Sequence, residues 1–122
     1  MRPHILFADD DPPIRELLSE FFQQKGFEIT TAATAQEAMK TADENALNLA
    51  ILDINLAGEN GLELLGYFRA NFPKLPVVMF TGMPGDEDLL DQAMARGASG
   101  FMRKTDSLDD LYAAVQVYIP VK

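Results

Sequence analysis

Asp9, Asp10 and Asp11 stand in a row in "ILFADDDPPIR", directly after an apolar run. Adjacent carboxylates repel one another, and burying them without partners is costly. Asp53 closes a second apolar run, "LNLAILD"; Thr81 follows a third, "PVVMF"; and Lys104 ends a fourth, "SGFMRK". Crowded carboxylates call for a cation. A hard ion such as Mg²⁺, with Mn²⁺ as the alternative, takes a few carboxylates and a backbone carbonyl and keeps waters that a phosphate oxygen can replace. A lysine beside them adds a mobile positive charge, and a threonine adds a hydroxyl donor. Together these groups suit a phosphoryl group held at Asp53, whose carboxylate is a candidate nucleophile for an aspartyl phosphate.

The chemistry requires elements that bring these residues to one place. Short apolar runs alternate with longer amphipathic ones along the whole chain. "HILFA" (His4–Ala8) reads as a strand, followed by a helical stripe of Ile14, Leu17, Leu18, Phe21 and Phe22 that stops at Gly26. "FEITTA" is a second strand, and the Thr34–Glu37 spacing of a capping box opens a second helix. "LNLAILD" is apolar enough to be buried on both faces of a sheet. A polar loop, "INLAGENG", leads to a helix carrying Leu62, Leu65, Tyr67 and Phe68 that ends before Pro73. A fourth strand over Pro76–Phe80, a fourth helix in "GDEDLLDQAMARG", a fifth strand in "SGFMRK" and a last helix capped by Ser107 complete the pattern.

Five strand–helix pairs in strict alternation predict an α/β fold, (βα)5, with a doubly wound five-stranded parallel sheet in the flavodoxin-like order 2-1-3-4-5. In that order the first and third strands are neighbours. Asp9, Asp10, Asp53, Thr81 and Lys104 then share the carboxyl edge of the sheet, where open α/β sheets bind ligands. Taken singly, each has a plainer role. Asp11 before Pro12 and Pro13 suits a helix N-cap, Asp53 a strand-end turn, Thr81 a helix approach and Lys104 a surface position. The coincidence of five such residues at strand ends is the signal.

Length and composition narrow the classes. The chain has 122 residues, about one domain, and 48% of them are hydrophobic. A net charge of −9 argues against a nucleic-acid surface. There is no cysteine and only one histidine, His4, which excludes thiol chemistry and leaves no well-placed imidazole for a Ser-His-Asp triad. No apolar stretch is long enough to span a bilayer and no signal peptide opens the chain, so a cytoplasmic location is expected.

In "ILFADDDPPIR", "AILDINLAGENGLELL", "PVVMFTG" and "GASGFMRK", in that order, the chain resembles the receiver domain of two-component response regulators, and the likeness covers residues 1–122. It implies Asp53 as phosphoacceptor, Asp10 as a direct metal ligand with Asp9 beside it, and the Asn55 backbone carbonyl completing a Mg²⁺ site. It implies that Thr81 and Lys104 hold the phosphoryl oxygens, that Phe101 is the aromatic switch with Thr81, and that Gly61 opens the third helix. The implied partners are a histidine kinase or phosphotransfer protein and an output protein or a missing output domain, with no nucleic-acid or membrane contact by this chain, as a monomer or a phosphorylation-dependent dimer. Such a chain is a signalling protein rather than an enzyme. Phosphorylation at Asp53 is expected to switch the face formed by helix 4, strand 5 and helix 5.

Three positions depart from the family pattern. Ala57 stands where proline is usual, Gly82 follows Thr81, and Thr105 replaces a proline after Lys104, so a trans bond is expected there. Asn55 and Met83 match the positions that flank the attacking water. Methionine cannot orient water, so slow self-hydrolysis is expected. One alternative is a receiver-like interaction module that is never phosphorylated. A haloacid-dehalogenase-like phosphatase carries its nucleophile in D-x-D at the end of the first strand, whereas Asp53 lies on the third strand with no carboxylate two residues on, and a flavodoxin-like flavin carrier would place FMN's phosphate against three aspartates. The sequence fits neither of these.

Overall fold

A computed structural model describes residues 2–56, 58–82 and 85–119. Its main sheet contains β1 (His4–Ala8), β2 (Glu28–Ala32), β3 (Leu49–Asp53), β6 (Val77–Thr81) and β7 (Gly100–Arg103). These strands are all parallel and lie in the order β2-β1-β3-β6-β7, the expected order once the small hairpin described below is set aside. The helices between them are α1 (Pro12–Gln24), α2 (Ala35–Glu44), α3 (Gly61–Asn71) and α4 (Glu87–Ala95), with α5 (Leu108–Tyr118) at the end.

The period-2 alternation of strand side chains sorts the core into two layers. Ile5 and Phe7 of β1, Ile51 of β3 and Val78 and Phe80 of β6 face Leu18 and Phe22 of α1 and Leu111 and Val115 of α5. Leu6, Ala8, Ala50, Leu52, Val77 and Met79 face the other way, against Ala38 and Ala42 of α2, Leu65 and Phe68 of α3 and Leu90 and Ala93 of α4. Every residue of β1, β3 and β6 is buried, as strands covered by helices on both faces must be.

Local signals decide most helix ends. Gly26 takes φ +95°, and the Gly26 and Phe27 amides donate to the Gln23 and Phe22 carbonyls. That pair of bonds is a Schellman stop, reinforced by the Phe22 and Phe27 rings at 5.8 Å. The Thr34 hydroxyl accepts from the Glu37 amide at 3.1 Å, and Ser107 accepts from Asp110 at 3.1 Å. His4 is structural: its N–H donates to Asn48 Oδ1 at 2.9 Å and its ring nitrogen lies 2.7 Å from the Thr30 hydroxyl.

Three expectations need correction. The loop after Asp53 contains a two-stranded antiparallel hairpin, β4 (Asn55–Leu56) with β5 (Glu59–Asn60), whose two-residue arms are too short to show a period. Asp11 occupies the N-cap position of α1 with Pro12 after it, but its side chain makes no capping bond. Leu17, placed in the apolar stripe of α1, is 50% exposed, because the core-facing positions are taken by Leu18 and Phe22.

Phe22→Ala is therefore expected to lower unfolding free energy by about 3–5 kcal/mol, and Leu17→Ala by less than about 0.5 kcal/mol. Urea denaturation of the two variants checks this, and similar losses for both would contradict the assigned face of α1.

Candidate functional site

The strand ends stay hydrogen-bonded up to the last residue, and this sets the site. The Asp9 amide donates to the Ala32 carbonyl of β2 at 3.0 Å, Ile54 to the Phe80 carbonyl at 3.0 Å, and Lys104 to the Thr81 carbonyl at 2.7 Å. The second strand thus contributes to the site by anchoring Asp9, although it supplies no side chain.

Asp9, just past the end of β1, and Asp53, the last residue of the neighbouring β3, are buried, while Asp10 is exposed at the rim. Even so, one carboxylate oxygen from each of the three lies within 4.8 Å of the others. Asp9 Oδ1 accepts the Asp11 amide at 2.9 Å, and Asp53 Oδ1 accepts the Asn55 amide at 3.1 Å. Lys104 Nζ donates to Asp53 Oδ2 at 2.9 Å and approaches Asp9 Oδ2 to 3.0 Å. The second approach lies outside hydrogen-bond geometry, so Asp9 Oδ2 is buried with charge attraction but no hydrogen bond.

Two glycines make room for this arrangement. A Cβ on Gly61 would lie 2.7 Å from the Asp53 carbonyl oxygen and 2.8 Å from that of Ile54, both backbone atoms. A Cβ on Gly82 would lie 2.6 Å from Lys104 Cδ, so the lysine stem runs directly over the Gly82 backbone. The ammonium also sits 5.6 Å from the centre of the buried Phe80 ring.

Burial pushes the Asp53 carboxyl above its ordinary range and the Asp9 charge adds to that, against the Asn55 amide and Lys104, which pull it down. For Lys104 burial acts downward, but its hydrogen bond to Asp53 and its close attraction to Asp53 and Asp9 outweigh it and raise the ammonium's pKa. The result is a basic carboxylate beside a firmly protonated amine. The donor set is all oxygen, three carboxylates and one incompletely satisfied buried atom, which fits a hard divalent cation better than a soft one.

Residues 5–116 match the family of response regulator receiver domains. The chain belongs to that family. It is 29% identical to sporulation initiation phosphotransferase F of Bacillus subtilis over all of this chain and 98% of that protein. It is 32% identical to the transcriptional activator protein PfeR of Pseudomonas aeruginosa over 91% of this chain, but spans only 36% of PfeR's length. The crystal structure of the receiver domain of NtrX from Brucella abortus superposes with a TM-score of 0.88 at 33% identity, covering 97% of this chain and 99% of that one. The fold is accordingly the flavodoxin-like receiver fold, and phosphorylation on aspartate is a feature of the family. Receiver domains are signalling proteins. Among the described residues, no helix is long and apolar enough to cross a membrane.

The structure brings Asp9, Asp10, Asp53 and Lys104 together, but Thr81 is otherwise engaged. Its hydroxyl donates to Asp86 Oδ2, just before α4. In the sequence Asp86 is one acid among several in "GDEDLLD", with nothing to set it apart. Phe101, on β7, is 45% exposed, with the Arg103 guanidinium 5.7 Å from its ring centre. Among the described residues there is no cis peptide, so the bond joining Lys104 to Thr105 is trans as expected. Ala57 and Met83 lie outside the described residues, and with them the expectations about loop constraint and water access.

The raised Asp53 pKa has a sign that can be tested. The folded chain binds this proton more tightly than the unfolded chain, so the contribution of Asp53 to stability is full below the unfolded value of 3.8 and is lost as pH rises through the folded value. Asp53→Asn is expected to melt at a higher temperature than wild type in Mg²⁺-free buffer at pH 7, with the gap narrowing toward pH 4. Thermal melts across that range check it, and a lower melting temperature for the variant at pH 7 would contradict it.

Proposed function

We propose that Asp53 is the phosphoacceptor of this receiver and that the chain acts as a phosphorylation-operated switch. The observation that carries this is a buried, basic carboxylate paired with Lys104 and flanked by two further aspartates at the carboxyl edge of the sheet. A histidine kinase or phosphotransfer protein presents phosphohistidine at the acidic rim. An Asp53 carboxylate oxygen attacks phosphorus in line, the P–N bond breaks, and its electron pair leaves with the imidazole. Lys104, already between Asp53 and Asp9, moves its charge onto the developing phosphoryl oxygens.

Asp10 and Asp53, with Asp9 beside them and the Asn55 backbone carbonyl, are the groups that would hold Mg²⁺ or Mn²⁺. When bound, the ion supplies Lewis-acid neutralisation of phosphoryl charge. On phosphorylation Thr81 exchanges Asp86 for a phosphoryl oxygen, and Phe101 turns from its exposed position toward the space Thr81 leaves. The face built by α4, β7 and α5 changes with them and controls a partner or an output domain. The chain works in the cytoplasm as a monomer or as a dimer formed on phosphorylation.

The test is intact-mass spectrometry after incubation with acetyl phosphate, with and without Mg²⁺, on wild type and Asp53→Ala. One added phosphoryl group is expected, dependent on metal and absent from the variant. A wild type that neither gains the adduct nor binds a stable phosphoryl mimic would favour an interaction module that is never phosphorylated.

A further inference from the structure

Asp10 stands at the rim of the acidic crevice. It is exposed, yet its carboxylate is held within 4.8 Å of those of Asp9 and Asp53, at a cost in repulsion and rotamer freedom. The main chain on either side of it is clamped. The peptide that follows is fixed by its Asp11 amide, which donates to Asp9 Oδ1 at 2.9 Å. The peptide that precedes is fixed by its Asp9 carbonyl, which accepts from Arg15 Nη1 at 2.7 Å. The Asp9 amide is in turn tied to Ala32 at 3.0 Å. A peptide is planar, so holding its oxygen also fixes the direction in which the chain leaves toward the next Cα.

From this we infer that Arg15 is a positioning residue for Asp10. Reaching back from the second turn of α1, its guanidinium aims the Asp10 carboxylate over the crevice and so sets the site's affinity for a divalent cation. The inference rests on the reading of Asp9, Asp10 and Asp53 as a Mg²⁺ site. It makes a demand opposite to that of simple electrostatics. Arg15 is a positive charge near a cation site, and on charge alone its removal strengthens Mg²⁺ binding. If Arg15 acts as a clamp, its removal weakens binding, because outer partners that orient metal ligands are worth about tenfold or more in affinity.

The test titrates MgCl₂ into ¹⁵N-labelled wild type, Arg15→Met and Arg15→Lys at pH 7 and fixed ionic strength. Dissociation constants are read from the amide shifts around the crevice, and the same spectra show that each chain is folded. Arg15→Met, which keeps the apolar stem and loses the donors, is expected to bind about tenfold more weakly, and Arg15→Lys, which keeps a donor and the charge, to recover most of the loss. A constant for Arg15→Met equal to or tighter than that of wild type overturns the inference. If Arg15→Met does not fold, Arg15→Gln, whose side chain is too short to span the same gap, is read by the same criterion. Wild type that shows no Mg²⁺-dependent shifts overturns the metal-site reading and this inference with it. Mg²⁺ binding that is the same in wild type and the donor-deleted variant overturns the inference alone.

Discussion

One ammonium stands between two buried carboxylates, and much of the molecule is arranged around that imbalance. Asp9 and Asp53 are almost inaccessible, Lys104 is the one cation paired with them among the described residues, and Asp10 adds a third negative charge at the rim. Burying charge costs several kcal/mol per ion even after relaxation, and one positive charge does not balance two negative ones. The constraint explains the close fit of the surroundings. Asp9 and Asp53 use one oxygen each on a nearby main-chain amide. Gly61 and Gly82 supply the space for the Asp53 backbone and the Lys104 stem. The arrangement costs stability, and a site that keeps a deficit of positive charge favours a cation.

The two layers of the core carry this cost in different ways. On the α1 and α5 side large aromatic rings dominate, with Phe7 against Phe80 at 5.5 Å and Phe22 against Phe27 at 5.8 Å. The layer under α2 is built largely from alanines, Ala8, Ala38, Ala42 and Ala50. Small side chains there let α2 pack closely on β1, the strand that leads into Asp9, and on its neighbour β2. Rings on the opposite face bury more apolar area per residue than alanines do.

Sequence patterning reveals most of this because the site lies at strand ends. A buried parallel strand is a run of apolar residues, and the first polar residue after it marks the edge where a ligand can bind. Asp9, Asp53 and Thr81 each occupy such a position, Asp10 follows Asp9 directly, and Lys104 comes one residue later, after Arg103. What patterning misses depends on partners distant in space or on elements too short to have a period. The 55–60 hairpin has two residues in each arm. Thr31 and Ala32 look inert until the Ala32 carbonyl is seen to hold the Asp9 amide. Asp11 looks like a helix cap, but its amide is used by Asp9 and its side chain caps nothing. Arg15 and Asp86 are charged residues on or beside helices, indistinguishable in sequence from solvent-facing ones until the carbonyl or hydroxyl that each engages is known.

The Thr81 hydroxyl carries one proton, and in this structure that proton is given to Asp86. A hydroxyl cannot donate to two acceptors pointing different ways, so in the proposed switch a phosphoryl oxygen at Asp53 would compete with Asp86, the residue that opens α4. The exchange conserves the number of hydrogen bonds while leaving the Asp86 carboxylate without its donor at a helix start already rich in Glu87 and Asp88. In the proposed switch, such a trade would tie the first turn of α4 to the crevice through one shared proton.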